Sequence, residues 1–202
     1  MAKPDPTSTK VTYAEYLTWP EWPKGERYEI HDGVPVAMSP APGPIHQLVS
    51  MALTVQIGNA LNDHPCRIVA APLDVRLAPA EAKDDEIGTV VQPDLAVVCN
   101  DERFDRRGYH GAPEWIIEII SPTSAARDQI QKRALYEEHG VGEYWLVHPQ
   151  DRLVWVYRLG EDGRYDAPQV LEMKGTLDAT LGVRVDWDAV VQSLPSQFLP
   201  ET

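Results

Sequence analysis

Two acidic residues in this chain stand where an acid is costly. Glu118 lies inside the run WIIEIIS, flanked by Ile116, Ile117, Ile119 and Ile120. A central strand built from this run carries a carboxylate into a largely dehydrated place, where an unpaired charge costs on the order of several kcal/mol. It demands a metal ion, a buried Arg or Lys, or a proton on the carboxyl itself. Asp94 poses the same question in VVQPDLAVVC. There Pro93 cannot donate to a ladder and marks a bulge or a strand start. Taken singly, Glu118 also fits a structural ion pair and Asp94 an ordinary strand-entry residue. As a pair on adjacent strands they can converge on a hard divalent cation such as Mg2+. That ion takes oxygen ligands and keeps several waters, one of which can attack phosphorus.

The elements that must position this pair can be read from periodicity and punctuation. Three segments, CRIVAAPLDVRLA, TVVQPDLAVVC and PEWIIEIIS, read as strands. The last two are nearly continuous in apolar residues, as expected of strands covered on both faces, so together they predict the central sheet. Upstream, Thr12 and Glu15 form a T-x-x-E capping box opening a short helix through Leu17. YEIHDGVPVAMSP predicts a β-hairpin, with Tyr28 to Ile30 and Val34 to Met38 as strands and Asp32-Gly33 as the turn. Pro44 suits the first turn of a helix running to about Leu61. His46, Ser50 and Thr54 form a narrow polar stripe along it.

Downstream, SPTS suits a helix start, and ARDQIQKRALYEEHG predicts a helix that stops at Gly140. EYWLVHP and RLVWVYRL are β-rich, and the remainder through VRVDWDAV suggests further short edge strands. The stretches PAEAKDDEIG and NDERFDRRGYHGA are polar and turn-rich and read as surface loops. The fold class expected is α/β, with a mixed central sheet flanked by helices and an N-terminal hairpin. A single domain over residues 11–195 is expected, after a disordered segment 1–10 and before a tail 196–202.

Composition narrows the function classes. With 202 residues, 43% hydrophobic and 24% charged, the chain has the make-up of a soluble protein with a sizeable core. No apolar run approaches the roughly 18 residues of a membrane helix. The N-terminus lacks the apolar stretch of a secretory signal, and Cys66 and Cys99 show neither metal-ligand spacing nor a disulfide-rich pattern, so a reducing cytoplasm is expected. A formal charge of −13 excludes a protein that coats nucleic acid non-specifically. Any nucleic-acid substrate must meet a local patch, for which Arg103, Arg106 and Arg107 are candidates. Asp101, Glu102 and Asp105 beside them weaken that patch.

YEIHDG, PIHQLVSMAL, QPDLAVV, PEWIIEIISP, the D-x-x-x-K of ARDQIQKRALY, and GVGEYWLVHP occur in this order. Together they resemble the Uma-type family of restriction endonucleases, a branch of the PD-(D/E)-x-K nuclease superfamily. The likeness runs from about Tyr13 to Leu159. It implies a core of helix, mixed sheet and second helix, with Asp94 as the aspartate of the PD half and Glu118 as the acid of the second half. The superfamily usually has lysine two positions after that acid, and here the position is Ile120.

Lys132 can replace the missing lysine, because Asp128, Lys132 and Tyr136 are spaced by four and share a helix face. The competing reading is an exposed ion pair of Lys132 with Asp128, worth only about 0.3 to 0.5 kcal/mol. Glu29 and His46 match the family's acidic-hairpin and helix-start motifs and can add a metal ligand or position a water. Otherwise Glu29 is a cross-strand ion-pair partner and His46 a helix-start residue bonded to the hairpin. Asp74, beside Arg76, reads as half of a surface pair.

Two functions follow. The first is a metal-dependent endonuclease acting on DNA, with Asp94 and Glu118 binding Mg2+ or Mn2+ and Lys132 assisting the water. The alternative is a catalytically inactive nuclease-like scaffold serving as a binding or regulatory module. A two-fold homodimer is also expected, through aromatic-rich strands such as VWVYRL meeting across an edge.

Overall fold

In the computed structural model, described for residues 10–19, 27–38, 41–121 and 127–198 with side chains 127–129 left aside, the chain alternates short strands with four helices. It begins with α1 (Tyr13–Tyr16), the hairpin β1 (Tyr28–His31) and β2 (Val34–Ala37), and α2 (Pro44–Ala60). Strands β3 (Arg67–Ala70), β4 (Val75–Arg76), β5 (Val90–Val91), β6 (Leu95–Val98), β7 (Phe104–Asp105), β8 (Gly108–His110) and β9 (Trp115–Ile119) follow. A π-helical segment (Arg127–Lys132) runs into α3 (Arg133–Glu138). Then come β10 (Glu143–His148), β11 (Leu153–Arg158), β12 (Gln169–Glu172), β13 (Thr176–Asp178), β14 (Arg184–Asp186) and α4 (Trp187–Gln192). The segment expected to be disordered falls largely on residues 1–9, the SPTS helix start on 122–124 and the tail's end on 199–202, all outside the described residues.

Local chemistry explains the starts and stops. Thr12 accepts from the Glu15 N–H while the Glu15 carboxylate accepts from the Thr12 N–H, so the expected capping box opens α1. Asp32 and Gly33 both take positive φ, 51° and 83°, which is the twist a two-residue hairpin turn needs. Pro44 opens α2, and Gly140 at φ 78° closes the helical run at α3.

The chain forms two compact units, the first from residues 1–40, 73–92 and 102–112 and the second from 41–72, 93–101 and 113–202. The first holds the sheet β2-β1-β5-β4-β8-β7. The second holds the sheet β12-β11-β10-β9-β6-β3 and the small β13-β14 pair. Two of the three long strands expected from sequence are therefore each cut in two. CRIVAAPLDVRLA becomes β3 and β4, parted by Pro72 after a cis bond, and TVVQPDLAVVC becomes β5 and β6, parted at Pro93. A proline lacks the N–H that an uninterrupted ladder requires, so each run breaks there and its halves join different sheets.

In the second unit β9 and β10 run parallel and the other neighbours antiparallel, giving the mixed sheet expected. One face packs on α2 and α4: Leu95, Ile117, Trp145 and Val156 meet Val49, Leu53, Ile57 and Trp187 in a single apolar cluster. Each of these aliphatic side chains contributes at most about 1.5–3 kcal/mol relative to exposure. His46 lies on the buried stripe of α2 with Val49, Leu53 and Ile57, because it precedes Val49 by three residues.

Four other expectations change. NDERFDRRGYHGA is not an irregular loop but carries the β7-β8 hairpin, turning at Arg106-Arg107. VRVDWDAV is only half strand: the Asp186 side chain accepts from the Ala189 N–H at 3.0 Å and starts α4. Strand β11, which contains VWVYR, is paired on both sides, so among the described residues the edges of this sheet are β12 and β3. Cys66 and Cys99 form a disulfide, because they flank β3 and β6 one step beyond the Arg67–Val98 register pair.

Candidate functional site

Asp94 and Glu118 meet because of strand register. Leu95 pairs with Ile117 across β6 and β9, so one step further on Asp94 stands opposite Glu118 on the same sheet face. The two are laced through the backbone. The Asp94 N–H donates to Glu118 Oε2 at 3.3 Å, and the Ile119 N–H donates to Asp94 Oδ2 at 2.8 Å. Pro93 ends the pairing of the upstream half-strand and leaves the Asp94 N–H free for this bond.

The remaining groups come from α2 and from the π-helical segment with α3. His46, at the third position of α2, approaches Asp94 Oδ2 through Nε2 at 2.9 Å, while its buried Nδ1 has no partner among the described residues. Lys132 donates from Nζ to Glu118 Oε1 at 2.9 Å, and Tyr136 Oη donates to the same oxygen at 2.7 Å. Four residues apart, Lys132 and Tyr136 share a helix face at the junction of the π-helical segment and α3. The Lys132 and Glu118 side chains are 5% and 4% exposed, which excludes the solvent-exposed reading of Lys132. The side chain of Asp128 lies outside the described residues.

A buried pair of this kind holds together only if its leftover lone pairs and protons are satisfied. Tyr136 and the Asp94 N–H do so for Glu118. Asp94 differs. Its side chain is 23% exposed, and Oδ1 accepts no hydrogen bond among the described residues. One carboxylate oxygen is thus left open beside a second carboxylate. This donor set, all hard oxygen, fits a divalent cation of the Mg2+ class. Among the described residues no group of three or more His, Cys, Asp or Glu side chains could hold a metal ion.

The other residues singled out from sequence lie in the first unit. Buried Glu29 accepts from the Gln92 N–H at 2.8 Å and meets His31 Nε2, on its own strand, at 3.0 Å. Asp74 does not pair with Arg76: it accepts from Tyr13 Oη at 3.1 Å and Gln92 Nε2 at 2.7 Å. Burial, then the charge of Asp74, push the Tyr13 hydroxyl well above its ordinary pKa. Arg76 is instead buried over the Tyr13 ring and paired with Asp105 at 2.9 Å. Of the arginine patch, Arg107 is paired with Asp84, Arg106 is exposed and Arg103 sits half-buried in a 3-10 turn. The backbone N–H of Ile119, which holds Asp94 in place, has no counterpart in residue type or spacing and so leaves no sequence signal.

The fold is that of a nuclease-like α/β protein. It superposes on the crystal structure of a "putative nuclease belonging to DUF820" from Anabaena variabilis with a TM-score of 0.70, covering 91% of this chain and 98% of that one at 18% identity. The chain belongs to the Uma2 family, described as "Putative restriction endonuclease", whose profile matches residues 13–192. It is also 26% identical over 171 residues to the uncharacterised protein slr1290 of a Synechocystis strain, covering 82% of this chain and 85% of that protein. No helix among the described residues is long and apolar enough to cross a membrane.

Proposed function

We propose that this protein is a metal-dependent endonuclease that hydrolyses DNA phosphodiester bonds, with Asp94, Glu118 and Lys132 as its catalytic residues. The observation that carries the reading is the opposition of Asp94 and Glu118 across one register step, with Lys132 Nζ 2.9 Å from Glu118. Ile120 lacks the lysine of the usual Glu-x-Lys pattern, and a lysine from the following helix supplies its charge to the same carboxylate.

Asp94 and Glu118 are the residues that would hold Mg2+ or Mn2+, with the other coordination positions left to water and phosphate. Such an ion supplies Lewis acidity toward the phosphoryl oxygen and lowers the pKa of an attacking water. The chain's own groups prepare that arrangement. His46 and the Ile119 N–H both engage Asp94 Oδ2, which leaves Oδ1 for a ligand. Tyr136 fixes Glu118 Oε1 beside Lys132, whose ammonium can orient the water or, once deprotonated, accept its proton. Asp128 remains an accessory candidate, and Arg103 and Arg106 are candidates for phosphate contact; the pairing of Arg107 with Asp84 favours them over Arg107.

The reading includes a two-fold dimer, supported by the edge strand β12, where Val170 and Leu171 are exposed; the Cys66–Cys99 disulfide removes the cysteine argument for a reducing cytoplasm. Incubation with duplex, single-stranded and modified DNA in Mg2+ or Mn2+, alongside calorimetric metal titration, tests the proposal. Cleavage lost in Asp94→Asn is the expected result. Absence of both cleavage and metal binding across these substrates would overturn it in favour of the inactive scaffold.

A further inference from the structure

The sheet face that carries Asp94 and Glu118 bears a second polar cluster that the proposed reaction leaves unused. His148 ends β10 and Trp155 lies on β11, and their rings meet with centroids 5.6 Å apart and planes at 33°. Register places both on that face. Leu146 pairs with Glu118 on one side and with Trp155 on the other, and His148 is two residues beyond Leu146. At about 4.8 Å per strand, Trp155 stands two strands, roughly 10 Å, from the Glu118 position.

Two ring nitrogens in this cluster lack partners. His148 Nε2 and Trp155 Nε1 are shielded from water and take no hydrogen bond among the described residues. Leaving such groups unpaired is destabilising and needs a reason. Trp115 and Trp187 also have unpaired indole nitrogens, but they sit in the apolar cluster on the other face of the sheet. Trp155 differs from them in being only partly buried and in touching a second unpaired ring. Val170, its register partner on β12, is 49% exposed and extends the apolar surface to the sheet edge.

The chemistry of the pair is specific. Burial holds His148 below its ordinary pKa, partly opposed by Asp151, so the ring is neutral near pH 7. Asp151 lies 3.8 Å from Nδ1, which favours the proton there and leaves Nε2 an acceptor. Trp155 Nε1 can only donate. A ring seated on Trp155 would displace the His148 imidazole from it and free one donor and one acceptor. A planar face with a mixed polar edge is what an unstacked nucleobase presents.

We propose that Trp155 and His148 form a subsite for one unstacked nucleobase of the strand whose phosphodiester lies at Asp94 and Glu118. The inference rests on the nuclease reading above. Its test is the affinity of a fluorescently labelled oligo-dT strand, measured by anisotropy in an Asp94→Asn background that prevents cleavage. An abasic strand of equal length serves as the control.

Trp155→Thr is expected to weaken oligo-dT binding about tenfold, near the low end of what stacking one base contributes. Trp155→Phe should stay within about threefold, and the abasic strand should bind all three proteins alike. If Trp155→Thr loses its cooperative melting, Trp155→Leu, which removes the π face but keeps an apolar side chain, carries the same expectation. Unchanged oligo-dT affinity, equal loss on the abasic strand, or no binding of oligo-dT by the protein with Trp155 intact would overturn the subsite. Cleavage of DNA by the chain with Asp94 intact is scored separately. Cleavage without a Trp155 effect overturns the subsite alone, whereas a Trp155 effect without cleavage overturns the nuclease reading.

Discussion

Glu118 and Glu143 are both buried glutamates, 3% and 2% exposed, on the neighbouring strands β9 and β10. By burial alone they are indistinguishable, yet they differ in what surrounds them. Glu143 is closed off: Trp145 Nε1 donates to one of its oxygens, and Arg158 Nε at 3.3 Å and the Thr180 N–H at 2.9 Å donate to the other. Glu118 is held as firmly by Lys132 and Tyr136, but it faces a second carboxylate with an open oxygen. A buried acid marks a structural knot when its neighbours are all donors. It marks a candidate site when one neighbour is another acid, because two carboxylates side by side can share an added cation.

The largest expected effect separates the two glutamates by activity. Asp94→Asn and Glu118→Gln should lower metal-dependent cleavage on the order of a thousandfold or more, while Glu143→Gln stays within a few-fold. Equal loss in Glu143→Gln with unaltered melting would erase the distinction.

Stability should separate them next. Glu118→Ala leaves Lys132 buried without its carboxylate and should cost about 3–5 kcal/mol in chemical denaturation, most of it recovered in the Glu118→Ala/Lys132→Met double variant. Glu143→Ala leaves Arg158, whose side chain is 39% exposed and can turn to water. It should therefore cost less, about 1–2 kcal/mol. A larger loss at Glu143 would reverse the ranking.

A smaller effect belongs to Lys132 itself. Lys132→Met should reduce the cleavage rate about a hundredfold while calorimetry still detects the metal, since the lysine acts on the water and not on the ion. Loss of metal binding in that variant would reassign Lys132 to holding the carboxylate in place.

The smallest effect is a pH dependence. Burial raises the Glu143 pKa above its ordinary 4.5, against the opposing bonds from Trp145, Arg158 and Thr180. Above 4.5 the folded chain therefore keeps a proton that the unfolded chain has lost, and stability falls as pH rises through the folded value. The melting temperature of wild type relative to Glu143→Gln should be highest in acid and decline as pH rises past about 4.5. A flat difference would mean that the donors around Glu143 cancel the cost of its burial.

Much of the scaffold was legible in the sequence, because the signals that specify it are local. The capping box at Thr12 and Glu15, the Asp32-Gly33 turn, the Pro44 helix start and the Gly140 stop each involve residues within a few positions of one another. Asp94 and Glu118 were visible for a related reason: a charge inside an apolar run is conspicuous wherever the strand lies. Less visible was the division of two strands at Pro72 and Pro93. A proline announces a break but not which sheet each half will join. The Cys66–Cys99 bond escaped because it depends on the antiparallel register of β3 and β6, which separates its members by 33 positions in the chain. The pairing of Arg76 with Asp105, rather than with Asp74 two residues away, likewise follows from folding and not from proximity in sequence.

The sequence by itself determined which side chains this protein can use: two acids in apolar strands, a lysine four residues before a tyrosine, and a histidine at a helix start. Residue type and local spacing carry that information. Only the tertiary structure decided that Asp94 stands opposite Glu118, that Lys132 turns inward to Glu118 and not outward to water, and that His46 takes one oxygen of Asp94 and leaves the other open. Those outcomes depend on strand register and on the helical turn at the start of α3. They arise from the competition of many distant contacts for the same buried space, and no short stretch of chain contains them.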